Sequence, residues 1–224
     1  MFDINKFIYN EKDHLGFYEG VLVPSCTQLL NILYPLDPSI KVDVLENARE
    51  RGTKVHEFVD KVNQLFYTHD DFEDNIPCAV QYATQIGNDE TIAYVSVLSA
   101  YGLEPISNEE LVFLLDEQEN LVCYGHLDLI VKAHKTTELF KENGVYVIDL
   151  KRTSAFDKVK THLQTHTYRI GWCQNHHAPL SQETFGIWLT GKEVKVMPLG
   201  VDTDERVIGI MKDAKGTFDL WQMK

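Results

Sequence analysis

Apolar residues recur every three to four positions in several segments of the chain, which is the spacing of one face of an α-helix. The clearest segment covers about residues 44–66, and a shorter one at residues 25–34 begins at Ser25, a residue type that caps helices. The same spacing predicts further helices at about residues 90–101, 158–177 and 202–221. The acidic stretch HDDFEDNIP at residues 69–77 is predicted to be a loop.

Short apolar runs bounded by turn residues predict strands in the second half of the chain. Residues 110–115 and 121–131, joined by a polar turn, predict a β-hairpin, and residues 145–150 predict a buried strand rich in β-branched side chains. Two more strands are predicted at residues 185–189 and 194–199, joined by the turn T-G-K-E. This order of elements predicts an α/β fold with a mixed central β-sheet flanked by helices.

The chain of 224 residues contains no internal repeat, low-complexity tract or linker, so a single domain is expected. It would comprise a helical part at about residues 1–105, a sheet core at about 106–200 and a C-terminal helix at about 202–222. No apolar run approaches the roughly 20 residues that span a bilayer, and the N-terminus lacks the pattern of a secretion signal. We therefore expect no membrane association and a cytoplasmic location.

The net charge of −13 argues at first sight against a nucleic-acid partner, whose phosphates attract lysine and arginine. The charge is unevenly distributed, because residues 1–112 hold 19 acidic and 7 basic side chains whereas residues 113–224 hold 15 and 14. Residues 149–169 form a local basic stripe that also contains His162 and His166. The candidate nucleic-acid contacts in this stripe are Arg152, Lys158, Lys160 and Arg169.

The segment I-D-L-K lies at the end of the predicted buried strand. Side chains alternate along a strand, so Asp149 and Lys151 point to one face while Ile148 and Leu150 point into the core. Phosphodiester hydrolysis requires a cation, an activated water and stabilisation of the developing charge. Asp149 can hold the cation, and Lys151 can orient the water or neutralise the charge. On its own the motif also suits a surface ion pair on an edge strand.

Three further residues are candidates for the same site. Asp128 lies among apolar residues of the second hairpin strand, where a metal ion would compensate a buried charge, or it faces solvent. His56 lies one helical turn after Gly52, whose missing side chain would let the sheet pack close, and is either a nitrogen ligand or a hydrogen-bonded helix histidine. Glu110 opens the hairpin, and Glu109 points to the opposite face, so only one of them can join the site.

Gln164 and Tyr168 are four residues apart on the helix that follows the I-D-L-K strand, so they share one face of it. Their amide and phenol groups can contact the lysine or a nucleic-acid backbone. A plain amphipathic helix with these groups in solvent is the alternative.

With these motifs the chain resembles the PD-(D/E)XK nuclease superfamily, in particular the RecB-like branch that includes many phage-encoded exonucleases. The matching segments occur in one order over about residues 21–172: V-P-S-C-T-Q-L-L, A-R-E-R-G-T-K-V-H-E, the pair E-E-L-V-F and G-H-L-D-L-I, I-D-L-K-R-T, and Q-T-H-T-Y. The resemblance implies the restriction-endonuclease-like core of that family, a DNA substrate, and a role in recombination, repair or replication in a bacterial or phage-infected cytoplasm.

The resemblance also implies a metal centre and a catalytic set. His56, Asp128, Asp149 and the main-chain carbonyl of Leu150 would bind Mg²⁺ or Mn²⁺, and an imidazole among oxygen ligands favours Mn²⁺. The residues with implied catalytic roles, besides the two aspartates, are Lys151 as the catalytic lysine, Glu110 as a supporting acid, and Gln164 and Tyr168 as the accessory motif.

Two features of the chain limit what the resemblance implies. The four cysteines are singly spaced, so the iron–sulfur cluster of some relatives is not expected. No G-x-x-x-x-G-K-[ST] motif occurs, so any unwinding would need a separate helicase, and a single-strand-binding or recombination protein is a further candidate partner. The alternatives to a nuclease are a catalytically silent nucleic-acid-binding or assembly module of the same fold, and an inhibitor whose acidic first half engages a basic protein.

Overall fold

A small antiparallel sheet, absent from the sequence-based prediction, lies near the N-terminus of the computed structural model, which describes residues 2–67, 72–190 and 193–223. After a 3₁₀ turn at Ile4–Lys6, the strands β1 (Phe7–Asn10), β2 (Leu15–Tyr18) and β3 (Val21–Val23) pair in that order. Each strand has only three or four residues, so no alternation of apolar and polar residues could be read from the sequence.

The helices follow the predicted order, with one addition. They are α1 (Cys26–Leu33), α2 (Val42–Phe66), α3 (Phe72–Ile86), α4 (Asp89–Tyr101), α5 (Lys158–His176) and α6 (Asp204–Gln222). Ser25 caps α1 in a capping box with Gln28, as its sequence position predicted. None of the helices in the described part of the chain has the length and apolar character of a membrane span.

The loop predicted at residues 69–77 is wrong for residues 72–77, which form the start of α3, and residues 69–71 lie outside the described residues. Glu73 and Asp74 occupy the first helical turn, where the helix dipole favours negative charge. Phe72, Ala79 and Ala83 of this helix are buried. Residues 72–77 therefore begin a helix rather than continue a loop.

Five strands form the central mixed sheet in the order of their sequence: β4 (Leu103–Leu115), β5 (Leu121–Ala133), β6 (Val145–Lys151), β7 (Thr184–Leu189) and β8 (Val194–Gly200). The pair β6–β7 is parallel and α5 connects its strands, whereas the other pairs are antiparallel. The α/β class, the mixed sheet and its flanking helices are thus confirmed.

The sheet is covered on both faces by helices. One apolar cluster joins α2, α3 and α4 to residues such as Leu129, Ile148 and Leu150. The other joins α1, α5 and α6 to residues such as Leu127 and Val147. The small N-terminal sheet packs its aromatic residues on the far end of the β4–β5 hairpin. The strand β6, which carries Asp149 and Lys151, therefore lies between two layers of helices.

Gly125 and Gly52 differ in how closely other atoms approach their Cα atoms. A Cβ on Gly125 of β5 would lie 2.4 Å from the Tyr168 ring, so only glycine lets α5 place this tyrosine against the strand. The helix and the strand therefore approach each other closely at Gly125. A Cβ on Gly52 would meet nothing within 4 Å, so the expected close packing of the sheet at Gly52 is wrong.

We expect Gly125→Ala to lower the free energy of unfolding by about 1–3 kcal/mol, because the added methyl group displaces the buried ring of Tyr168. Gly216→Ala in α6 is the matched control, since its Cβ meets open space and the helix gains up to about 1 kcal/mol. Urea denaturation of both variants measures the difference. Equal stabilities for the two variants would contradict the packing role of Gly125.

Candidate functional site

The strands β5 and β6 separate from each other where the site residues lie. The pairing of β5 with β6 stops at Leu129 and Ile148, and the carboxylate of Asp128 accepts the next free N–H, that of Leu150, at 2.7 Å. Leu127 and Leu129 pack on opposite faces of the sheet, although strict alternation would place them on the same face. The hairpin thus twists away from β6 at Asp128, which opens space beside β6.

Glu109 lies opposite this twist on β4. Its neighbours Asn108 and Glu110 pair with Leu129 and Leu127, which leaves Glu109 facing Asp128 across the hairpin. Its backbone is in the left-handed region, with φ of 50°. This irregularity breaks the alternation along β4 and directs the Glu109 side chain towards α2.

His56, Glu109 and Asp128 form the candidate metal-binding cluster. His56 Nδ1 lies 2.8 Å from Glu109 Oε1, and one ligand atom from each of the three residues lies within 4.8 Å of the other two. These residues come from α2, β4 and β5. One imidazole and two carboxylates can therefore converge on a single cation.

Asp149 and Lys151 form an ion pair next to this cluster, with Lys151 Nζ 2.7 Å from Asp149 Oδ2. The carboxylate is almost completely buried, with 1% of the residue exposed, and its Oδ1 has no hydrogen-bond partner among the described residues. Alternation along β6 predicted that the two side chains share a face, and this is confirmed. An unsatisfied buried oxygen is costly unless a ligand completes it.

The position of the Lys151 side chain depends on two residues of α5. Lys151 Nζ donates to Gln164 Oε1 at 3.1 Å, and Gln164 Nε2 donates to the hydroxyl of Tyr168 at 2.9 Å. Tyr168 is in turn fixed by burial against Gly125. The predicted shared face of Gln164 and Tyr168 is confirmed, and of the two it is Gln164 that contacts Lys151.

Burial and charge shift the pKa values of the acid–base groups in opposite ways. Burial lowers the pKa of His56, but the hydrogen bond to Glu109 and the charges of Asp128 and Asp149 outweigh it and raise the pKa to about 9. Burial raises the pKa of Asp149, against the attraction of the Lys151 ammonium. The carboxylates therefore keep His56 protonated at neutral pH in the absence of a competing cation.

The predicted ligand set and the cluster share His56 and Asp128, and the cluster contains Glu109 in addition. Asp149 lies beside the cluster, close enough for its charge to act on His56. Leu150 pairs with Ile187 in the β6–β7 ladder, and a ligand role of its carbonyl stays a prediction.

Glu110, which the sequence analysis selected, lies away from the cluster. Its carboxylate accepts hydrogen bonds from Ser107 and from Trp172 Nε1, and it lies 2.8 Å from His176 Nε2. Only one of the two adjacent glutamates joins the cluster, as expected, but it is Glu109. The left-handed conformation of Glu109 is the physical reason.

The four candidate nucleic-acid contacts are not one exposed stripe. Arg169 is buried and paired with Asp204, so its selection as a surface contact was wrong. Arg152 donates two hydrogen bonds to Glu90, and Lys160 donates to Asn31. Lys158 is exposed. Helix periodicity did not reveal that α5 buries one of its basic residues against α6.

An open groove of about 510 Å³ adjoins His56 and Glu109. Its lining includes the acidic residues Glu57 and Asp60. His126 on β5 was not among the residues selected from the sequence. Burial lowers its pKa, against the opposing charge of Glu109, and its ring lies 5.0 Å from that of Tyr9. Because Tyr9 belongs to the small N-terminal sheet, no sequence pattern could have placed it here.

Comparison with known proteins adds little to this description. No protein-family profile and no curated protein matches the chain. Among solved structures, the crystal structure of SSO0001 is similar at 13% identity and a TM-score of 0.33, over 73% of this chain and 86% of that one. A similarity at this level carries no argument about fold or function.

His166, the second histidine of the sequence stripe, is buried. Its Nε2 lies 3.2 Å from the carbonyl of Gly200, while Nδ1 has no partner among the described residues. Burial, together with the charges of His162 and Arg169, lowers the pKa of His166 to about 4. His166 is therefore neutral at pH 7 and adds no positive charge to the stripe.

We expect the contribution of His166 to the free energy of unfolding to fall as the pH drops from 6.5 to about 4, because the unfolded chain then binds a proton that folded His166 does not take up. His166→Gln should remove a part of this loss on the order of 2 kcal/mol. Urea denaturation at a series of pH values measures it, with exposed His177→Asn as the control. An unchanged pH dependence in His166→Gln would contradict the assignment.

Proposed function

We propose that the protein is a metal-dependent deoxyribonuclease that hydrolyses phosphodiester bonds of linear DNA from an end. The observation that carries the proposal is the convergence of His56, Glu109 and Asp128 next to the buried Asp149–Lys151 pair. Acidic ligands beside a fixed ammonium are what phosphodiester hydrolysis requires. The ordered resemblance to the PD-(D/E)XK nucleases supports the same reaction.

The residues present fit a divalent cation. Two carboxylates and an imidazole suit Mg²⁺ or Mn²⁺, and the imidazole favours Mn²⁺. The unpartnered Oδ1 of Asp149 is a further oxygen donor that a cation or its bound water would satisfy. His56, Glu109 and Asp128 would hold the ion. When bound, the ion polarises the phosphate and lowers the pKa of a water molecule.

The other residues of the site position Lys151 and Asp128 and neutralise the negative charge that develops during the reaction. The ammonium of Lys151, held by Asp149 and Gln164, is available to donate to a phosphate oxygen as negative charge develops there. Tyr168 fixes Gln164 and thereby the lysine. The Leu150 N–H holds the Asp128 carboxylate in one orientation. A prearranged donor needs little rearrangement during the reaction.

The cellular role follows from the same resemblance. We infer a part in recombination, repair or replication in the cytoplasm of a bacterium or phage-infected cell, with a helicase or a single-strand-binding or recombination protein as partner. The net charge of −13 repels DNA at long range, so binding depends on local contacts rather than on the overall charge.

Lys151→Ala should lower cleavage of end-labelled linear DNA by at least about a hundredfold in Mg²⁺ or Mn²⁺, because a charged donor is lost from the reacting centre. Lys141→Ala is the matched control, since this exposed lysine lies before the start of β6 and Lys151 lies at the end of that strand. Closed circular DNA tests the requirement for an end. Wild-type activity in Lys151→Ala would reject the role of the lysine, and no cleavage by the wild type with any divalent ion would reject the function.

Glu109→Gln should weaken Mn²⁺ binding by about tenfold or more, because it removes one charged ligand, whereas Glu110→Gln should change it little. Isothermal titration with Mn²⁺ measures both affinities without DNA. The two substitutions are chemically identical and adjacent, so charge alone cannot explain a difference. A larger loss in Glu110→Gln would show that Glu109 is not a ligand.

A further inference from the structure

A row of side chains crosses the three strands next to the cluster. Lys151 on β6 pairs in register with Trp188 on β7, and Trp188 pairs with Lys195 on β8. Neighbouring strands lie about 4.8 Å apart, and residues paired in register point to one face. An indole ring therefore lies between two lysines, on the face that carries the Asp149–Lys151 ion pair.

The ring of Trp188 is held in a fixed position. Its Nε1 donates to the carbonyl of Thr153 at 2.8 Å, and the Phe156 ring lies 5.9 Å away, centroid to centroid. Phe156 itself lies over Gly186, where a Cβ would approach its ring to 2.7 Å. The ammonium of Lys195 lies over the indole, 5.4 Å from its centroid. Both aromatic residues remain partly exposed.

The charges around this row favour a polyanion. Lys195 is exposed and has no ion-pair partner among residues 2–67, 72–190 and 193–223. The groove that adjoins His56 and Glu109 is lined by the side chains of Glu57 and Asp60, which are acidic. A strand of phosphates is therefore attracted over β7 and β8 and repelled from the groove.

We propose that Trp188, Phe156 and Lys195 form a stacking platform for an unpaired base of single-stranded DNA, next to the site of hydrolysis. Aromatic side chains stack on the faces of unpaired bases, whereas bases inside a duplex are already stacked on each other. A base on the indole takes the place of the Lys195 ammonium, which then pairs with a neighbouring phosphate. The choice of DNA as ligand rests on the proposed function.

The test is binding of short oligonucleotides in EDTA, where no cleavage occurs, followed by quenching of tryptophan fluorescence. The probes are an oligothymidylate, an abasic strand of the same length and a duplex of that length. The wild type should bind the oligothymidylate about tenfold more tightly than the abasic strand, because stacking needs a base. Trp188→Leu should remove this preference and leave binding of the abasic strand within about twofold.

Control variants separate stacking from damage to the fold. Trp188→Phe keeps a ring and should retain the preference while losing the quenching, whereas Trp221→Phe, on α6, should retain both. Lys195→Glu should weaken binding of both strands. The chain offers a second lysine–aromatic contact, Lys61 over Phe58 at 5.9 Å on α2, and Phe58→Leu should leave the preference unchanged.

A preference for bases that survives in Trp188→Leu, or a duplex that binds as tightly as the single strand, would overturn the platform. Either result leaves the cleavage experiments untouched, because no metal ion is present in the binding assay. Conversely, a preference that depends on Trp188 without cleavage in any divalent ion would reject the nuclease and keep the platform.

Discussion

The buried charge of Asp149 is the constraint on which the site depends. A carboxylate that is removed from water inside a sheet costs several kcal/mol unless other groups compensate it. Lys151 supplies one compensating contact, and Gln164 holds that lysine in place. Neither carboxylate oxygen accepts a hydrogen bond of good geometry from the described residues, and only Oδ2 lies against the ammonium. The remaining cost is relieved by a proton, a water molecule or a cation at this carboxylate, and the proposed metal site is one such arrangement.

The separation of β5 from β6 brings further polar groups close to Asp149. Where the ladder stops, the carboxylate of Asp128 replaces a strand partner, and Glu109 approaches it from β4. His56 reaches the same place from a helix on the opposite layer. Three elements supply the residues of the cluster and β6 supplies the N–H that holds Asp128, so no single fragment of the chain contains the cluster.

The sequence was most informative where a regular period holds. Helical spacing predicted α2 and α5, and alternation placed Asp149 and Lys151 on one face. The sequence misled where the backbone departs from regular alternation. A left-handed residue inside a strand, such as Glu109, does not change the pattern of apolar residues, so Glu110 was selected instead. Tertiary pairing was also invisible, and for that reason Arg169 was taken for a surface contact.

The left-handed backbone at Glu109 has a consequence for how this position can vary. A glutamate in that conformation carries strain on the order of 1 kcal/mol, which glycine or asparagine would relieve. Either replacement would make the hairpin more stable and would also delete a carboxylate from the cluster. In the proposed nuclease, stability and metal affinity therefore impose opposite requirements on this one position, so a homologue with glycine or asparagine here would be more stable and would bind the ion less tightly.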